Sequence, residues 1–374
     1  MKKVVHMTSA HPRYDQRILW RECCSLREQR YDVALIVNDA QASETLKNGI
    51  RILSTGFVPK GRKQRMTEGV KRIYELGIAQ DADIYHLHDP ELLTVALKLK
   101  KQGKKVIFDS HETYGENIKE KMWIPAAMRN LLAVAYNAYE SYVCRRIDGV
   151  IHVGKYDGQD WFSDRSKRFV YVGNFPKLSE YEGVPVPDYT TRKNVCFSGG
   201  IAKEFGILTL VTAVDKAQTE LILAGRFIPD SFRAEVAVQD SHHVVQYQGY
   251  LNRREIFELY ARCAVGMCVF PDLKGQLVKI SNFNTKVYEY MAMEMPVILS
   301  DWPYKRKMIE KYKFGLVANP DDVEDIAEKI RWLLDHPKEA EEMGRNGKRL
   351  LEEQFTWDVA EKELLRLYNE IEKG

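Results

Sequence analysis

The 374-residue chain predicts an α/β fold built from two tandem doubly wound, Rossmann-like domains, each with a parallel sheet. Three observations carry this expectation. Short apolar runs of strand length alternate with helical stretches along the chain, as in parallel sheets covered on both faces. The alternation breaks once, over residues 173–194, and then restarts. The length also exceeds what one hydrophobic core usually serves.

In the first half the strand-like runs are "KVVHM", "DVALIV", "IRILS", "DIYHLH", "KKVIFDS", "GVIHV" and "FVYVG", separated by helical segments such as "QRILWRECCSLREQ" and "ELLTVALKLKKQ". The break, "GNFPKLSEYEGVPVPDYTTRKN", is rich in Pro, Tyr and charge and reads as an interdomain linker. Strands "VCFSGG", "ELILAG", "VVQYQGY", "VGMCVF" and "PVILS" follow, each succeeded by a helix, and the chain ends as helix. In the last segment Thr356 or Asp358 is placed to cap a helix. Val359, Leu364, Leu365, Leu367, Tyr368 and Ile371 then form one apolar stripe.

A composition of 45% hydrophobic and 29% charged residues is that of a globular protein, and a net charge of +3 gives no nucleic-acid-binding signal. Basicity is local. "KGRKQRMTEGVKR", residues 60–72, sets six basic residues against one Glu, which suits either an anionic membrane surface or a solvated helix face. Six cysteines lack metal-site spacing and lie mostly in apolar runs, as reduced buried thiols of a cytosolic protein do. With no apolar signal segment and no membrane-length run, the expected location is cytoplasmic, at most peripheral on the inner membrane face.

Ligands of open parallel sheets bind outside the carboxyl ends of the strands, so polar residues just past each strand are the candidates. The first strand is followed by His11, Asp15 and Arg17; the fourth by His86, His88, Asp89 and Glu91; the fifth by Asp109, His111 and Glu112. Asp15 serves equally as a helix cap. His86 and His88 share a strand face as two metal ligands would, but no third ligand is evident, so no metal site is assigned. In the second half "FSGGI" places Gly199 and Gly200 between a strand and a helix, where backbone N–H groups can meet an anion. In "NFNTKVYEYM", Asn284 or Thr285 can cap a helix, Lys286 sits in its first turn and Glu289 follows on the same face. A carboxylate amid the apolar run Val287–Ala292 needs a partner. A phosphate on Lys286 and the helix terminus, with ribose hydroxyls on Glu289, would supply one.

At this point the chain resembles retaining glycosyltransferases of the GT-B fold, family 4, also called glycosyl transferases group 1. "HLHDPELL", "KVIFDSHE", "FSGGI", "TKVYEYMAMEMPVILSD", "KFGLVANPDDVEDIAEKI" and "MGRNGKRLLEEQFTWD" resemble family segments in the family's order. The resemblance implies an acceptor-side domain over residues 1–173, rejoined by a crossing helix over 357–374. It also implies a nucleotide-sugar domain over 174–356, facing the first across a cleft. Glu289 matches the ribose-binding second glutamate of E-x7-E, and His111 the histidine on the acceptor side of the donor sugar. Gly199 and Gly200 match the diphosphate loop. Lys203, Arg226, Tyr250, Asn284, Thr285 and Lys286 complete the donor-side set. His11, Asp15, Arg17, His88, Asp89, Glu91 and Glu112 form the acceptor-side set. Two positions depart from the pattern: Ser281 stands where the first glutamate is usual, and Phe205 where the diphosphate loop commonly has a basic residue.

The implied activity is transfer of a hexose from a nucleotide-diphosphate sugar to a hydroxyl of a glycan or lipid-linked acceptor. Configuration is retained, His111, Glu289 and Lys286 carry the reaction, and no metal or other cofactor is required. Bacterial polysaccharide or glycoconjugate synthesis is the implied setting, and nucleic acid is not an expected partner. The alternatives are a catalytically silent GT-B subunit that binds a partner or glycan, and a GT-B sugar-nucleotide epimerase.

Overall fold

A computed structural model describes residues 1–121, 124–156, 158–184, 186, 188–272 and 279–373; Pro185 and Pro187 of the 173–194 stretch therefore lie outside the described residues. The chain forms two compact units, Met1–Asn174 with Asp358–Gly374, and Phe175–Trp357.

The first unit holds strands β1 Lys3–Met7, β2 Asp32–Val37, β3 Glu44–Thr45, β4 Arg51–Ser54, β5 Ile84–Leu87, β6 Lys105–Ser110, β7 Gly149–His152 and β8 Phe169–Tyr171. They form one sheet in the order β3-β4-β2-β1-β5-β6-β7-β8, parallel except for the antiparallel edge strand β3. Strand order reverses between β1 and β5, so the tips of β1, β5 and β6 are where a doubly wound sheet binds ligands.

The two faces of this sheet differ in chemistry. Val5, Met7, Tyr85, Leu87, Val106 and Phe108 face an apolar core shared with Val70, Ile73, Ala96 and Leu99 of the covering helices. On the other face His6 of β1 stands in register with His86 of β5, and both are fully buried. This polar face is covered by the π-helical stretch Ile18–Cys23 and by the final helix, Trp357–Lys373, whose Tyr368 hydroxyl lies 2.9 Å from His86 Nδ1.

The final helix buries Leu364, Leu367, Tyr368 and Ile371, most of the stripe expected of it. Its approach to β7 depends on Gly149, where an added Cβ would come within 2.9 Å of Leu367 Cδ1. The Tyr31 hydroxyl donates to Glu372 Oε1 at 2.7 Å and pins the far end.

The second unit carries a six-stranded parallel sheet: β9 Lys193–Ser198, β10 Leu221–Ala224, β11 Val245–Gly249, β12 Cys263–Cys268, β13 Val297–Ser300 and β14 Gly315–Ala318. The order is β11-β10-β9-β12-β13-β14. Edge strand β14 is absent from the sequence expectations; its two central residues, Leu316 and Val317, are only partly buried. One side of the sheet packs Val195, Phe197, Leu223 and Val265 against Leu210, Val214, Ile326 and Ile330 of its helices.

The 173–194 stretch is not a free linker, contrary to expectation. Tyr189 donates to the Ala264 carbonyl at 2.8 Å, and Arg192 to that of Met293 at 3.0 Å. The Tyr181 ring lies 4.3 Å from that of Phe257. Satisfying these polar groups on the second sheet's helices and strands makes residues from Phe175 onward part of the second unit. All six cysteines are free thiols, five of them buried.

Because Leu367 is fully buried against the first sheet, Leu367→Ala should destabilise the protein by about 2–5 kcal/mol, the range for such cavities. Urea unfolding followed by fluorescence checks this; an unchanged midpoint would show that the final helix is not anchored there.

Candidate functional site

The polar residues at the tips of β1, β5 and β6 do converge, but most of them bond to one another. Asp89 is 2% exposed and accepts from the Thr8 hydroxyl at 2.8 Å and the Ser9 N–H at 2.6 Å, while its Oδ1 lies 3.2 Å from His11 Nδ1. Burial opposes the Asp89 charge, yet the hydrogen bond and charge of His11, with the Thr8 and Ser9 donors, hold its carboxyl well below the usual range. Burial likewise works against protonated His11, and Asp89 outweighs it, so the imidazole pKa is raised. The His11 and His111 rings lie 4.5 Å apart, centroid to centroid.

Four acceptor-side candidates prove to be supports. Arg17, 5% exposed, grips Asp109 with Nε and Nη2 at 3.0 and 3.1 Å and spends Nη1 on the Val172 carbonyl and Asn174. Asp15 caps the following turn, its Oδ1 accepting from the N–H groups of Arg17 and Ile18 at 2.9 Å each. His88 is fully buried, with Nδ1 3.4 Å from Asp109 Oδ2. Glu91, 6% exposed, accepts from the Ser9 hydroxyl at 2.8 Å and meets Arg65 Nε at 2.7 Å. What can reach solvent is His11, His111 and Glu112, with side chains of the two histidines 24% and 12% exposed. His111 Nε2 lies 3.3 Å from Asp109 Oδ2, so the buried Arg17–Asp109 pair sets its orientation.

Beneath this platform lies a set that the sequence reading missed. His6, Glu22, His86 and His88 are all fully buried, with potential ligand atoms within 4.8 Å of one another. The third and fourth members that the His86–His88 pair seemed to lack come from β1 and from the π-helical turn. They lie about eighty and sixty residues away in sequence, where no spacing rule reaches.

In the second unit the glycine turn follows β9. Gly199 sits at φ +118°, a conformation that favours glycine, and a Cβ added to the neighbouring Gly225 would overlap the Gly199 carbonyl oxygen. A short turn, Lys203–Phe205, separates Gly200 from the helix Ile207–Lys216, so the glycine pair does not itself open that helix; Gly206 does. Lys203 is exposed and pairs with Glu235 at 3.2 Å, which turns it toward the surface and away from the loop. Arg226 and Tyr250 are exposed beyond β10 and β11, the guanidinium 4.6 Å from the Tyr250 ring centre.

The helix Thr285–Ala292 begins after Asn284, which holds the cap position without a side-chain cap bond; Asn284 and Thr285 are exposed. Lys286 Nζ lies 3.5 Å from the Phe197 ring centre and 5.6 Å from that of Phe205, the residue that stands in a basic position of the family pattern. Burial lowers the Lys286 pKa to about 8, and no hydrogen bond or ion pair engages it among the described residues. Lys305, 2% exposed, has Nζ over Trp302 at 4.0 Å and Phe270 at 5.0 Å, again without a hydrogen-bond partner; burial lowers its pKa too.

Glu289, 8% exposed, does not pair with Lys286. Arg253 Nη1 reaches its Oε1 at 2.9 Å, and the Tyr260 hydroxyl donates to its Oε2 at 3.0 Å. Arg253 also grips Glu180, so one guanidinium joins the 173–194 stretch to the candidate ribose carboxylate. Each Glu289 oxygen keeps accepting capacity beyond these bonds. Arg253, Tyr260 and Lys305 escaped sequence analysis because each sits inside an ordinary amphipathic helix, where nothing in the pattern distinguishes it from surface or core.

The two sheets, with candidate groups at their carboxyl ends, define a fold of two doubly wound domains, and comparisons agree. The family model "Glycosyltransferase Family 4" matches residues 16–173, and "Glycosyl transferases group 1" matches residues 185–350. The chain belongs to this glycosyltransferase family. A search of curated proteins found no match. Among solved structures it resembles sucrose-phosphate synthase from Thermosynechococcus elongatus, with 18% identity, 99% of each chain covered and a TM-score of 0.77. A glycosyltransferase from Rickettsia africae gives 15% identity, 100% and 99% coverage and a TM-score of 0.74. Anabaena HepE, solved with UDP and glucose, gives 12% identity, 99% and 100% coverage and a TM-score of 0.70. These likenesses establish the GT-B fold.

The His11–Asp89 contact generates a pH test. A raised histidine pKa stabilises the fold fully below the unfolded value of 6.5 and loses that contribution as pH rises through the folded value above it. The stability difference between wild type and His11→Asn should therefore be largest near pH 6 and shrink toward pH 8. Thermal unfolding across that range measures it; a difference that grows with pH would contradict the pairing.

Proposed function

We propose that the protein transfers a hexose from a uridine nucleotide-diphosphate sugar to an acceptor hydroxyl with retention of configuration, in bacterial polysaccharide or glycoconjugate synthesis. The observation that carries this is Lys286: a half-buried lysine without a counter-ion among the described residues, whose Nζ would lie 3.5 Å from a Cβ built on Gly199 of the bared backbone turn. Lys305 lends further positive charge, and Glu289 lies one helical turn beyond Lys286. An unpaired cation beside exposed backbone suits a diphosphate, and a carboxylate at that distance suits the ribose hydroxyls. The match to HepE, whose structure holds UDP and glucose, supports uridine as the base.

In this reading the bond from the anomeric carbon to the diphosphate oxygen breaks as an acceptor hydroxyl attacks from the same face. Charge grows on the leaving diphosphate, and Lys286, the Gly199–Gly200 backbone and the N-terminus of the helix Thr285–Ala292 stabilise it. Those groups make a metal at the diphosphate unnecessary. Lys286 substitutes for the loop cation that Phe205 displaces, and the Phe205 and Phe197 rings hold the ammonium through their π faces. His111, oriented by Asp109, contacts the donor sugar on the acceptor side. Ser281 leaves the sugar without the usual glutamate, which bears on sugar choice.

Calorimetry with UDP and uridine tests the donor site. Lys286→Met should weaken UDP about tenfold or more and leave uridine nearly unchanged, because a charge-assisted bond contributes about 1.5–3 kcal/mol. Glu289→Gln should weaken both ligands, and His111→Ala should keep UDP affinity while losing transfer. UDP binding no tighter than uridine in the wild type would overturn the assignment. A bound UDP-sugar that is neither hydrolysed nor transferred would indicate a silent subunit, and a changed sugar still attached to nucleotide an epimerase.

A lipid-linked acceptor would draw the first unit to an anionic membrane. Of the 60–72 cations, Arg65 meets Glu91 at 2.7 Å, Arg72 meets Glu68 at 2.6 Å and Lys71 lies 3.9 Å from Glu75, and Lys60, Arg62, Lys63 and Lys71 are exposed. The helix Ala126–Cys144 adds Leu131 and Val134, 69% and 65% exposed. No described helix is long and apolar enough to cross a membrane. Vesicle sedimentation should show binding that needs anionic lipid and falls about fivefold for each lysine in 60–72 changed to Gln, at about 1 kcal/mol per charge. Binding indifferent to lipid charge would refute this.

A further inference from the structure

Inside the first unit, four side chains of metal-ligating type close on one point. Glu22 Oε2 lies 3.9 Å from each of His6 Nδ1, His86 Nε2 and His88 Nε2. His6 Nδ1 and His88 Nε2 are themselves 2.9 Å apart and share a hydrogen bond, whose proton an ion would displace. Every one of these side chains is fully buried. Ligand atoms around a tetrahedral ion with bonds of about 2.0–2.1 Å lie about 3.3–3.4 Å apart. These four distances bracket that separation and the whole set lies within 4.8 Å, so ring and carboxylate adjustments would close it on an ion.

Hydrogen bonding in the cluster points the same way. Among the described residues neither Glu22 Oε2 nor His86 Nε2 has a hydrogen-bond partner, while Glu22 Oε1 has Arg17 Nε at 2.9 Å. Leaving such groups unsatisfied in a dry interior costs about 1–3 kcal/mol each, which a resident ion would remove. The rear nitrogens are already held. The Tyr368 hydroxyl lies 2.9 Å from His86 Nδ1, and Asp109 Oδ2 lies 3.4 Å from His88 Nδ1, so both rings can present Nε2 lone pairs inward. Only His6 Nε2 lacks such a support.

We propose that His6, Glu22, His86 and His88 bind a divalent transition-metal ion, zinc by its ligand set, as a closed structural site within the first unit. Three imidazoles and one carboxylate suit such an ion. With four protein ligands and no exposure, no position remains for water or substrate, so the ion is not catalytic. It ties β1 to β5, to the turn carrying Glu22 and, through Tyr368, to the final helix. The other possible set, His88 with Asp109 and His111, offers three ligands instead of four, and its His111 reaches solvent. The proposal is independent of the transfer reading, because a structural ion is compatible with any activity at the strand tips.

The test uses the full chain, without a histidine tag, from zinc-supplemented culture. Elemental analysis should find about one zinc per chain. His86→Gln and Glu22→Gln should lose it. Tyr368→Phe, which removes only a hydroxyl, should raise the zinc dissociation constant about tenfold in competition with a chromophoric chelator. Refolding with Co2+ should give the intense visible bands of a tetrahedral site, and refolding with zinc should raise Tm over refolding with chelator. Wild-type protein with less than about a tenth of an equivalent of metal would overturn the proposal. So would Gln variants that fold and keep the wild-type metal content; should the variants not fold, the wild-type metal content decides.

Discussion

The first unit depends on one buried guanidinium. Arg17 grips Asp109 in a fork, touches Glu22 and ends on the Val172 carbonyl and Asn174, so a single side chain fastens the first loop, the tip of β6 and the close of the β8 segment. Removing one partner of a buried pair leaves an uncompensated charge and costs about 3–5 kcal/mol, which makes the geometry hard to relax. Asp109 then passes the constraint outward: its Oδ2 lies 3.3 Å from His111 and 3.4 Å from His88. Burial opposes the Asp109 charge, but Arg17 and then His111 hold its carboxyl well below the usual range, so an acceptor-side histidine rests on a permanently ionised base.

The second unit applies the opposite rule. There, Lys286 and Lys305 are drawn toward aromatic faces with no ion pair among the described residues, and burial pulls both pKa values down. Ring quadrupoles offset only part of the desolvation of an ammonium. A chain that can place Glu289 under Arg253 and Tyr260 a turn away has the means to pair these lysines and does not. In the proposed reading, this positive charge beside the glycine turn is stability given up for a ligand that brings two or more negative charges.

The fold was legible because parallel strands buried on both faces leave dense apolar runs, and those runs recur in the order a doubly wound sheet requires. The final helix's stripe was legible for the same reason, since Leu364, Leu367, Tyr368 and Ile371 repeat with helical period. The roles of polar residues were less so. Position after a strand located Arg17, Asp15, His88 and Glu91 correctly at the tips, but whether a side chain there faces solvent or another charge is decided by partners far along the chain. Arg17 meets Asp109 across 92 residues. Glu289 posed a sound question, and its answer includes Arg253, which sequence gave no reason to single out from a surface helix. Lys203 and Lys286 looked equivalent, and only Glu235 separates them.

These contrasts explain why departures from a family pattern need not remove a site. A diphosphate needs positive charge at a given place, not a given residue on a given loop, and the place is fixed by where Gly199 bares its backbone. Replacing a loop cation with Phe205 removes a charge but adds a π face, and that face is 5.6 Å from Lys286 Nζ. An ammonium held by two rings is less free to move than one on a flexible loop, and a lysine with a pKa near 8 remains mostly protonated at neutral pH. In the proposed reading the positive charge has moved from the loop to the helix that carries Glu289, so the groups assigned to diphosphate and ribose sit one turn apart on a single rigid element, where their spacing is set by helix geometry alone.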